Sequence, residues 1–428
     1  MEKIRAYKGH VVFTPELGKF SINEDSYIVV DGKRVKGVFK ELPVEYREVD
    51  VVDYEDKLII PGFVDLHLHA SQYANVGLGV DEELLDWLDI YTFPEEAKYE
   101  DLDFAKEAYG RFVHDLWKVG TTRSVIFATI HRESTMLLMD MIDKAGLGAF
   151  VGKLNMNRNS PDFYIESKDE SLEETEKFIK ETRNKYEKVK PIITPRFVPS
   201  CSLELMNGLG QLAEKYQVPI QSHLSENRKE VELVKELFPQ FDSYSAVYEE
   251  TGLFRDSNST VMAHCVWSTK EEMEIMKRND VIVAHSPHSN ANVSSGIAPV
   301  SEFISRGISV GLASDVSGGH RLAITDAMTL AAQMSNLRWV HIDDKYDPLT
   351  LPELFFLATK GGGKFFGKVG SFEEGYEFDA LVIDDSSLKD INQRSIEERI
   401  QKYIYLGDDR NILDRYVAGE KIEEPNFN

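Results

Sequence analysis

Short runs in which apolar and polar residues alternate occupy both ends of the chain. In the first 60 residues they cover 10–14, 26–30 and 34–39, and Asp31 and Gly32 separate the second run from the third. An Asp-Gly pair between two such runs is typical of a tight β-hairpin turn. The pattern therefore predicts short strands at the start of the chain. Runs of the same kind follow in the tail, at 379–384, 403–406, 412–417 and 420–422.

From residue 62 onward, apolar runs of strand length alternate with segments whose apolar residues recur every three or four positions. The runs of strand length are 62–69, 122–128, 149–156, 190–197, 219–223, 260–264, 281–284 and 309–313. The segments with helical spacing are 102–119, 134–145, 172–186, 203–216, 228–237, 270–278, 300–306 and 324–339, and a shorter one follows at 351–358. Strands that alternate with helices build βαβ units around a parallel sheet, and eight such units are the count of a (β/α)8 barrel.

The sequence therefore predicts an α/β protein in which a (β/α)8 TIM barrel carries a small β-sandwich domain built from both chain ends. Residues 1–60 and 371–428 are the two parts of the predicted sandwich, and residues 61–370 form the predicted barrel. The length of 428 residues suits this arrangement, because one α/β barrel takes about 250 residues or more.

Composition and charge narrow the class of protein. With 42% hydrophobic and 29% charged residues, the chain has an ordinary soluble composition. Its formal net charge of −24 opposes binding to the phosphates of DNA or RNA, but not to a small neutral substrate. Two cysteines, Cys201 and Cys265, are too few for a disulfide framework and fit a reducing cytoplasm. No apolar run reaches membrane-spanning length, and the first residues lack the apolar core of a signal peptide. We therefore predict a cytoplasmic protein with no nucleic-acid or membrane partner.

Two histidines lie one residue apart at the end of the first apolar strand. In a β-strand, residues i and i+2 point to the same face, so His67 and His69 can aim two imidazoles at one point. Convergent imidazoles suit a cation such as zinc. A half-buried strand that carries two structural histidines has the same pattern, so a metal site needs further ligands from elsewhere in the chain.

The ends of later strands supply such ligands. Barrel enzymes place their chemistry at the C-terminal ends of the strands. His223, His264 and His285 end the fifth, sixth and seventh predicted strands, and Asp315 follows the eighth. Imidazoles together with one carboxylate suit Zn²⁺, with iron or another divalent ion as the alternative. The strand ends thus predict a metal site.

Two further residues near the strand ends bear on the number of metal ions and on proton transfer. Binuclear barrels of this kind need a bridging ligand, usually a carboxylated lysine, at the end of the fourth strand. The fourth strand here leads into Arg196, which stays protonated and cannot bridge metals, so we expect one ion per chain. Glu226 follows His223 by three residues and can relay a proton. Its alternative role is to open the following helix as part of an N-cap.

These motifs resemble the amidohydrolase superfamily and, within it, the members that deaminate guanine. The resemblance covers nearly the whole chain and is strongest from about 58 to 340. Two positions depart from the pattern: His288 stands where asparagine is expected, and Asn157 stands where relatives often carry aspartate. The segments that carry the resemblance are 61–69, 69–73, 91–95, 127–131, 193–197, 221–227, 315–319 and 370–382, together with the strand-end residues above.

The resemblance implies a role for each residue at the predicted metal site. His67, His69, His223 and Asp315 would hold one Zn²⁺ ion, and His264 would hydrogen-bond the attacking water. His69, His223 and Asp315 would also contact the substrate. The reaction implied is the hydrolysis of guanine to xanthine and ammonia, with Asp315 accepting a proton from water. The resemblance further implies a homodimer and a setting in purine salvage or nitrogen scavenging.

Other residues would bind the purine. The resemblance implies that Glu226 contacts the substrate, shuttles protons and protonates N3, so that C2 becomes electrophilic. Gln72 and Arg196 would contact guanine, and Phe197 would pack near its ring. An arginine that donates to O6 favours guanine over adenine, which presents an amino group there. The alternative for Arg196 is a salt bridge inside the barrel mouth.

Competing interpretations of the same sequence remain. Another mononuclear aminohydrolase could act on an adenosine derivative, an oxidised purine, cytosine or a triazine. A metal-free scaffold that kept the barrel and lost catalysis belongs to a different class of protein, and the complete set of predicted ligands argues against it.

Trp87 either roofs the pocket or packs its helix on the barrel. His288 and His320 are expected to be solvated loop residues, with contact to the substrate as the alternative, and His285 receives no role.

Overall fold

A computed structural model describes residues 4–255 and 259–427. Its strands are, in chain order, β1 (Ile4–Glu16), β2 (Lys19–Asp31), β3 (Arg34–Phe39), β4 (Asp50–Pro61), β5 (Phe63–His69), β6 (Thr121–Phe127), β7 (Gly148–Gly152), β8 (Leu154–Asn155), β9 (Val189–Pro191), β10 (Thr194–Pro195), β11 (Ile220–Leu224), β12 (Thr260–His264), β13 (Ile282–His285), β14 (Ser309–Leu312), β15 (Ala380–Ile383), β16 (Ile412–Val417) and β17 (Glu420–Lys421).

The α-helices are α1 (Leu84–Trp87), α2 (Phe93–Ala97), α3 (Leu102–Lys118), α4 (Arg132–Lys144), α5 (Lys168–Thr182), α6 (Leu203–Tyr216), α7 (Arg228–Leu237), α8 (Tyr244–Glu250), α9 (Lys270–Arg278), α10 (Pro287–Asn292), α11 (Val300–Ser305), α12 (Ile324–His341), α13 (Leu351–Phe356) and α14 (Ile396–Leu406). Among the described residues, no helix combines the length and the apolar character that a membrane crossing requires. Cys201 and Cys265 are both buried and free.

The head and the tail of the chain share one sheet. Its strands are hydrogen-bonded in the order β17-β16-β15-β4-β1-β2-β3. The junction is the antiparallel pair β15–β4, in which Ala380 faces Pro61 and Ile383 faces Leu58. This arrangement confirms that strands from both chain ends belong together.

The middle of the chain supplies parallel strands, as the alternating pattern predicts. β5, β6, β7 and β9 form one parallel sheet, and β11, β12, β13 and β14 form another. A parallel bridge between Ile193 and Ile220 connects the two. At the other end of the series, Asp315 N donates to His67 O at 2.9 Å and His69 N donates to Val316 O at 2.8 Å. The segment that follows the last parallel strand is therefore hydrogen-bonded back to the first strand.

One predicted tail strand is wrong. The segment 403–406 is the C-terminal end of helix α14, not a strand. Ser395 caps this helix and forms a capping box with Glu398, which satisfies backbone donors at the helix start. Ile396, Ile400 and Tyr403 are buried and recur at helical spacing. The short apolar run at the end of the helix has the appearance of a strand only when it is considered without the preceding turns.

A helical stretch absent from the predicted elements lies between the first and second parallel strands. It consists of α1, a π-helical turn at Leu88–Thr92, and α2, which begins at Phe93. Trp87 and Phe93 are buried on its inner side. The three pieces are each too short to show helical periodicity in the sequence.

Candidate functional site

The predicted metal residues converge where the parallel strands end. His67 and His69 lie in β5, His223 in β11 and His264 at the end of β12, and Asp315 follows β14 by three residues. All five side chains are buried. Equivalent ends of parallel strands meet at one side of a closed or nearly closed sheet, so residues far apart in sequence share one site.

The distances bring four of these side chains to a common point. His67 Nε2 lies 3.1 Å from Asp315 Oδ1, and His69 Nε2 lies 3.5 Å from the same oxygen. His69 Nε2 and His223 Nε2 are 3.2 Å apart. Within the described residues, two overlapping groups have donor spacing suited to a metal ion: His67 with His69 and His223, and His67 with His264 and Asp315.

The chemistry of these donors fits a divalent cation. In the described part of the chain, His67 Nε2 is buried and makes no hydrogen bond. The Nδ1 atom of His223 lies 2.6 Å from Arg196 O, and donation from Nδ1 leaves a free lone pair on Nε2. Burial lowers the pKa of His67, His69 and His223 well below the usual value, which keeps the imidazoles neutral. Neutral imidazoles and a carboxylate are the ligands that a divalent metal prefers here.

Two carboxyl groups flank His264. Its Nε2 lies 3.4 Å from Glu226 Oε2 and 3.5 Å from Asp315 Oδ2, while its Nδ1 lies 2.9 Å from Asn290 Oδ1. Burial raises the pKa of Asp315 to about 6. Burial, and next the charge of Asp315, raise the pKa of Glu226 well above its usual value. The surroundings of Glu226 thus favour the protonated form of its carboxyl group.

The loop after β11 directs Glu226 into the site. The N-cap of α7 is Asn227, which forms a capping box with Glu230. Glu230 Oε2 also accepts from Glu226 N at 2.8 Å, and Ser295 Oγ donates to Glu226 Oε1 at 3.2 Å. The carboxyl of Glu226 is thus not the helix cap that the sequence left as an alternative. Ser295 carried no signal in the sequence, because its importance depends on this contact alone.

Strained backbone accompanies the site. Ser225, His264 and Asp315 have φ values of 48°, 70° and 48°. Residues other than glycine rarely occupy this left-handed region, and such strain is commonly found at functional sites.

The site opens into a pocket of about 420 Å³. Leu84, Trp87 and Leu88 line it from the helical stretch before α2, and Phe197 lines it from the loop after β10. Trp87 is 4% exposed, so it both covers the pocket and packs against the fold. The imidazole of His69 lies 4.7 Å from the ring of Phe127, measured between centroids. The pocket combines apolar walls with a polar end that carries the candidate metal donors.

At this pocket, Gln72 and Arg196 share a partner that the sequence did not reveal. Arg196 NH1 donates to Glu96 Oε2 at 2.7 Å, and NH2 donates to Oε1 at 3.2 Å. Gln72 Nε2 donates to Glu96 Oε1 at 2.7 Å. Both Gln72 and Arg196 also line the pocket. The salt-bridge alternative for Arg196 and its position at the pocket are therefore compatible. Glu96 directly follows a segment that carries the family resemblance, but its side-chain partners lie far away in sequence.

The remaining histidines lie outside this cluster. His285 is buried but lines a different cavity, together with Ile297 and Arg338. His288 is 7% exposed, so the expectation of a solvated loop residue is wrong for it. His320 is exposed, and its ring packs edge-on against His288 with centroids 4.7 Å apart. His288 lies in α10, and packing of this helix against the loop of His320 buries one imidazole of the pair.

Comparison with known proteins gives consistent results. Residues 58–422 match the model of the amidohydrolase family. The guanine deaminase of Dictyostelium discoideum is 39% identical over 98% of both chains, and that of Homo sapiens is 43% identical over 89% of this chain and 85% of its own. The crystal structure of guanine deaminase from C. acetobutylicum with bound guanine in the active site has a TM-score of 0.96 and 50% sequence identity, covering 98% of this chain and 100% of that one. The chain therefore belongs to the amidohydrolase family and, within that family, groups with the guanine deaminases.

Proposed function

We propose that this chain is a guanine deaminase that hydrolyses guanine to xanthine and ammonia. One observation carries the proposal: a single pocket is lined by donors of the candidate metal cluster, by Glu226, whose pKa is raised, and by the polar pair Gln72 and Arg196. Hydrolytic deamination needs activated water, a proton donor and groups that orient the base, and these residues supply all three.

The metal would be held by His67, His69, His223 and Asp315. When bound, a Zn²⁺ ion supplies a Lewis acid that lowers the pKa of water toward neutrality. Zinc is the proposed ion, with Fe²⁺ as the alternative, because imidazole and carboxylate ligands suit both. We propose one ion per chain, since Arg196 at the fourth strand end is permanently charged and already paired with Glu96.

The protein side chains divide the proton transfers between them. Asp315 accepts the proton of the attacking water, and His264, within 3.5 Å of Asp315 and Glu226, orients that water by hydrogen bonding. Glu226 protonates N3 of the purine, which makes C2 electrophilic. Attack at C2 gives a tetrahedral carbon, and the 2-amino group leaves as ammonia after it receives a proton. The raised pKa of Glu226 supports this role, because a general acid must carry its proton at the working pH.

The pocket walls would hold the base. Phe197 packs against the purine ring, and Arg196 donates hydrogen bonds to O6. Guanine presents an acceptor at this position where adenine presents an amino donor, so an arginine favours guanine. His69, His223, Glu226 and Asp315 line the same pocket as Gln72 and Arg196, which supports their assignment as substrate contacts.

The proposed scaffold is a (β/α)8 barrel over residues 61–370, with a β-sandwich from residues 1–60 and 371–428. Hydrogen bonds between the ends of the parallel series support closure. So does an apolar cluster to which those strands contribute Val64, Val125, Val261 and Ile282. A second cluster from the head and the tail, with irregular register in the long strand pair β1–β2, supports a sheet that bends over its own core.

The proposed setting is purine salvage or nitrogen scavenging in the cytoplasm, with the enzyme as a homodimer. Exposed apolar side chains at the end of α12 and just after it, namely Leu337, Trp339, Val340 and Ile342, offer a surface for a second copy. Exposed apolar groups of this kind are typical of association sites.

The test is ammonia release from a panel of bases with zinc present. The panel contains guanine, adenine, cytosine, an aminotriazine and an adenosine derivative, and xanthine is identified as the product of guanine. Turnover should be far fastest with guanine and should vanish after chelation, then return with zinc. A metal-replete sample that deaminates adenine or cytosine but not guanine would contradict the proposal.

A further inference from the structure

The hydrogen bonds of Glu96 determine which way the Gln72 amide faces. A carboxylate paired with a guanidinium accepts hydrogen bonds and donates none. The amide nitrogen of Gln72 must therefore face Glu96, as it does at 2.7 Å. The amide oxygen is left on the opposite side, where Ser317 N donates to it at 3.4 Å. Since a carbonyl oxygen has two lone pairs, this atom can still accept from a ligand.

The same carboxylate holds the donors of Arg196. Glu96 is fully buried, with 0% exposure, and binds both terminal nitrogens of the guanidinium. A bidentate pair of this kind fixes the plane of the guanidinium. A guanidinium has more N–H groups than these two bonds use, so Arg196, which lines the pocket, keeps donors for a ligand.

We propose that Glu96 is a positioning residue that sets the hydrogen-bond polarity of the pocket to match a lactam edge, a ring N–H beside a ring C=O. Gln72 Oε1 accepts from the ring N–H, and Arg196 donates to the carbonyl. Guanine has this edge, whereas an aminopurine edge of the adenine type has a ring acceptor beside an amino donor. The inference rests on the proposed function, because it requires Gln72 and Arg196 to contact the substrate.

Two substrates distinguish recognition of the purine edge at positions 1 and 6 from the deamination reaction at C2. Guanine and 2,6-diaminopurine carry the same 2-amino leaving group, but their edges at positions 1 and 6 have opposite polarity. The measured quantity is the ratio of kcat/KM for guanine to kcat/KM for 2,6-diaminopurine, in metal-replete protein. Where turnover of 2,6-diaminopurine is undetectable, its inhibition constant against guanine replaces the second term.

Glu96→Gln should lower this ratio by about tenfold or more, because an amide can donate or accept and no longer prevents Gln72 from turning over. Glu96→Asp retains an acceptor-only group and should recover part of the ratio. Glu95→Gln is the matched control, since Glu95 lies one residue earlier in α2 and accepts from Lys98 at 2.5 Å. The ratio should not change in that variant.

If Glu96→Gln lowers kcat/KM equally for both substrates, the ratio is unchanged. Glu96 would then have only a structural role, and the inference would be overturned. If loss of the charge partner of Arg196 prevents folding, Gln72→Met removes the proposed acceptor with Glu96 in place, and the ratio should fall there too. An unchanged ratio in Gln72→Met also overturns the inference. Wild-type protein that releases no ammonia from guanine refutes the proposed function itself, a result distinct from an unaltered ratio in active variants.

Discussion

Contacts made by neighbouring residues direct Glu226 into the candidate site, and its carboxyl group does not cap the following helix. Glu230 and Asn227 cap the following helix, and Ser295 holds one oxygen of Glu226 at 3.2 Å. The other oxygen lies 3.4 Å from His264. Burial, and next the like charge of Asp315, disfavour ionisation of the Glu226 carboxyl, so its pKa lies well above the usual value. Its position next to the metal ligands makes proton transfer the role that fits.

Glu226→Gln should abolish turnover without removing the metal. The amide is isosteric but cannot transfer a proton, so kcat should fall by roughly a factor of 10²–10⁴. Metal content per chain, measured by elemental analysis, should stay at the wild-type value. Glu232→Gln, on the exposed side of the same helix, serves as the control and should leave kcat unchanged. Loss of metal from Glu226→Gln would show that Glu226 is a ligand.

Replacing a proposed metal ligand should lower the metal content per chain, which Glu226→Gln should leave unchanged. His67→Ala removes a donor from a buried cluster, so metal content should fall well below one ion per chain. His114→Ala, at a half-buried histidine remote from the cluster, should keep its metal. Two ions per chain in the wild-type protein would contradict the role assigned to Arg196.

At the scale of elements, α14 shows how a helix stabilises a segment that local sequence assigns to a strand. Its N-terminal turn is fixed by the Ser395 and Glu398 capping box, and its buried face includes Ile400 and Tyr403. The apolar face packs on the core, so tertiary contacts decide the outcome where local propensity is ambiguous. The helical stretch that lines the pocket is a similar case, with three short pieces held by burial of Trp87 and Phe93.

Ser395→Ala should destabilise the protein by about 1 kcal/mol, the usual effect of losing a helix cap. The hydroxyl accepts from Glu398 N at 3.2 Å, and this acceptor disappears with the substitution. Denaturant unfolding measures the change. Ser395→Thr retains a capping hydroxyl and should stay within a few tenths of a kcal/mol of wild type. Equal stability of the alanine and wild-type proteins would show that the cap contributes little.

At the scale of the whole molecule, a buried ion pair connects the tail to the parallel strands. Arg123 lies in β6, and its guanidinium donates to Asp379 at 2.6 and 3.0 Å and to Glu377 at 2.8 Å. Asp379 directly precedes β15 and is 1% exposed. The pair thus joins the sheet built from both chain ends to the strands that carry the site, at a position remote from the metal ligands in sequence.

Asp379→Asn should destabilise the protein by about 3–5 kcal/mol, because it leaves a buried guanidinium without its main partner. The readout is the midpoint of chemical unfolding. Arg111→Gln breaks an exposed helical pair with Glu107 and should cost no more than about 0.5 kcal/mol. A Asp379→Asn protein as stable as this control would mean that solvent reaches Arg123 and replaces the lost contact.

The convergence of the proposed metal ligands followed from the sequence. Parallel strands bring equivalent ends together, so His67, His69, His223 and Asp315 could be grouped from position alone, and the structure brings their donor atoms within a few ångströms. Repeated apolar runs likewise gave the order of strands and helices, because burial on both faces leaves a long local signal. Boundaries of several helices, α6, α7 and α9 among them, agree with the sequence pattern.

The sequence by itself determined the alternation of strands and helices in the middle of the chain and the proposed ligands at the strand ends, since both depend on local pattern and on the fixed geometry of a parallel sheet. Only the tertiary structure decided the partners of the polar groups around them. Glu96 lies 24 residues from Gln72 and 100 residues from Arg196, and no periodicity connects such positions. Hydrogen bonding between distant, buried groups is a property of packing, and for that reason the residue proposed to set the polarity of the pocket emerged only from the folded chain.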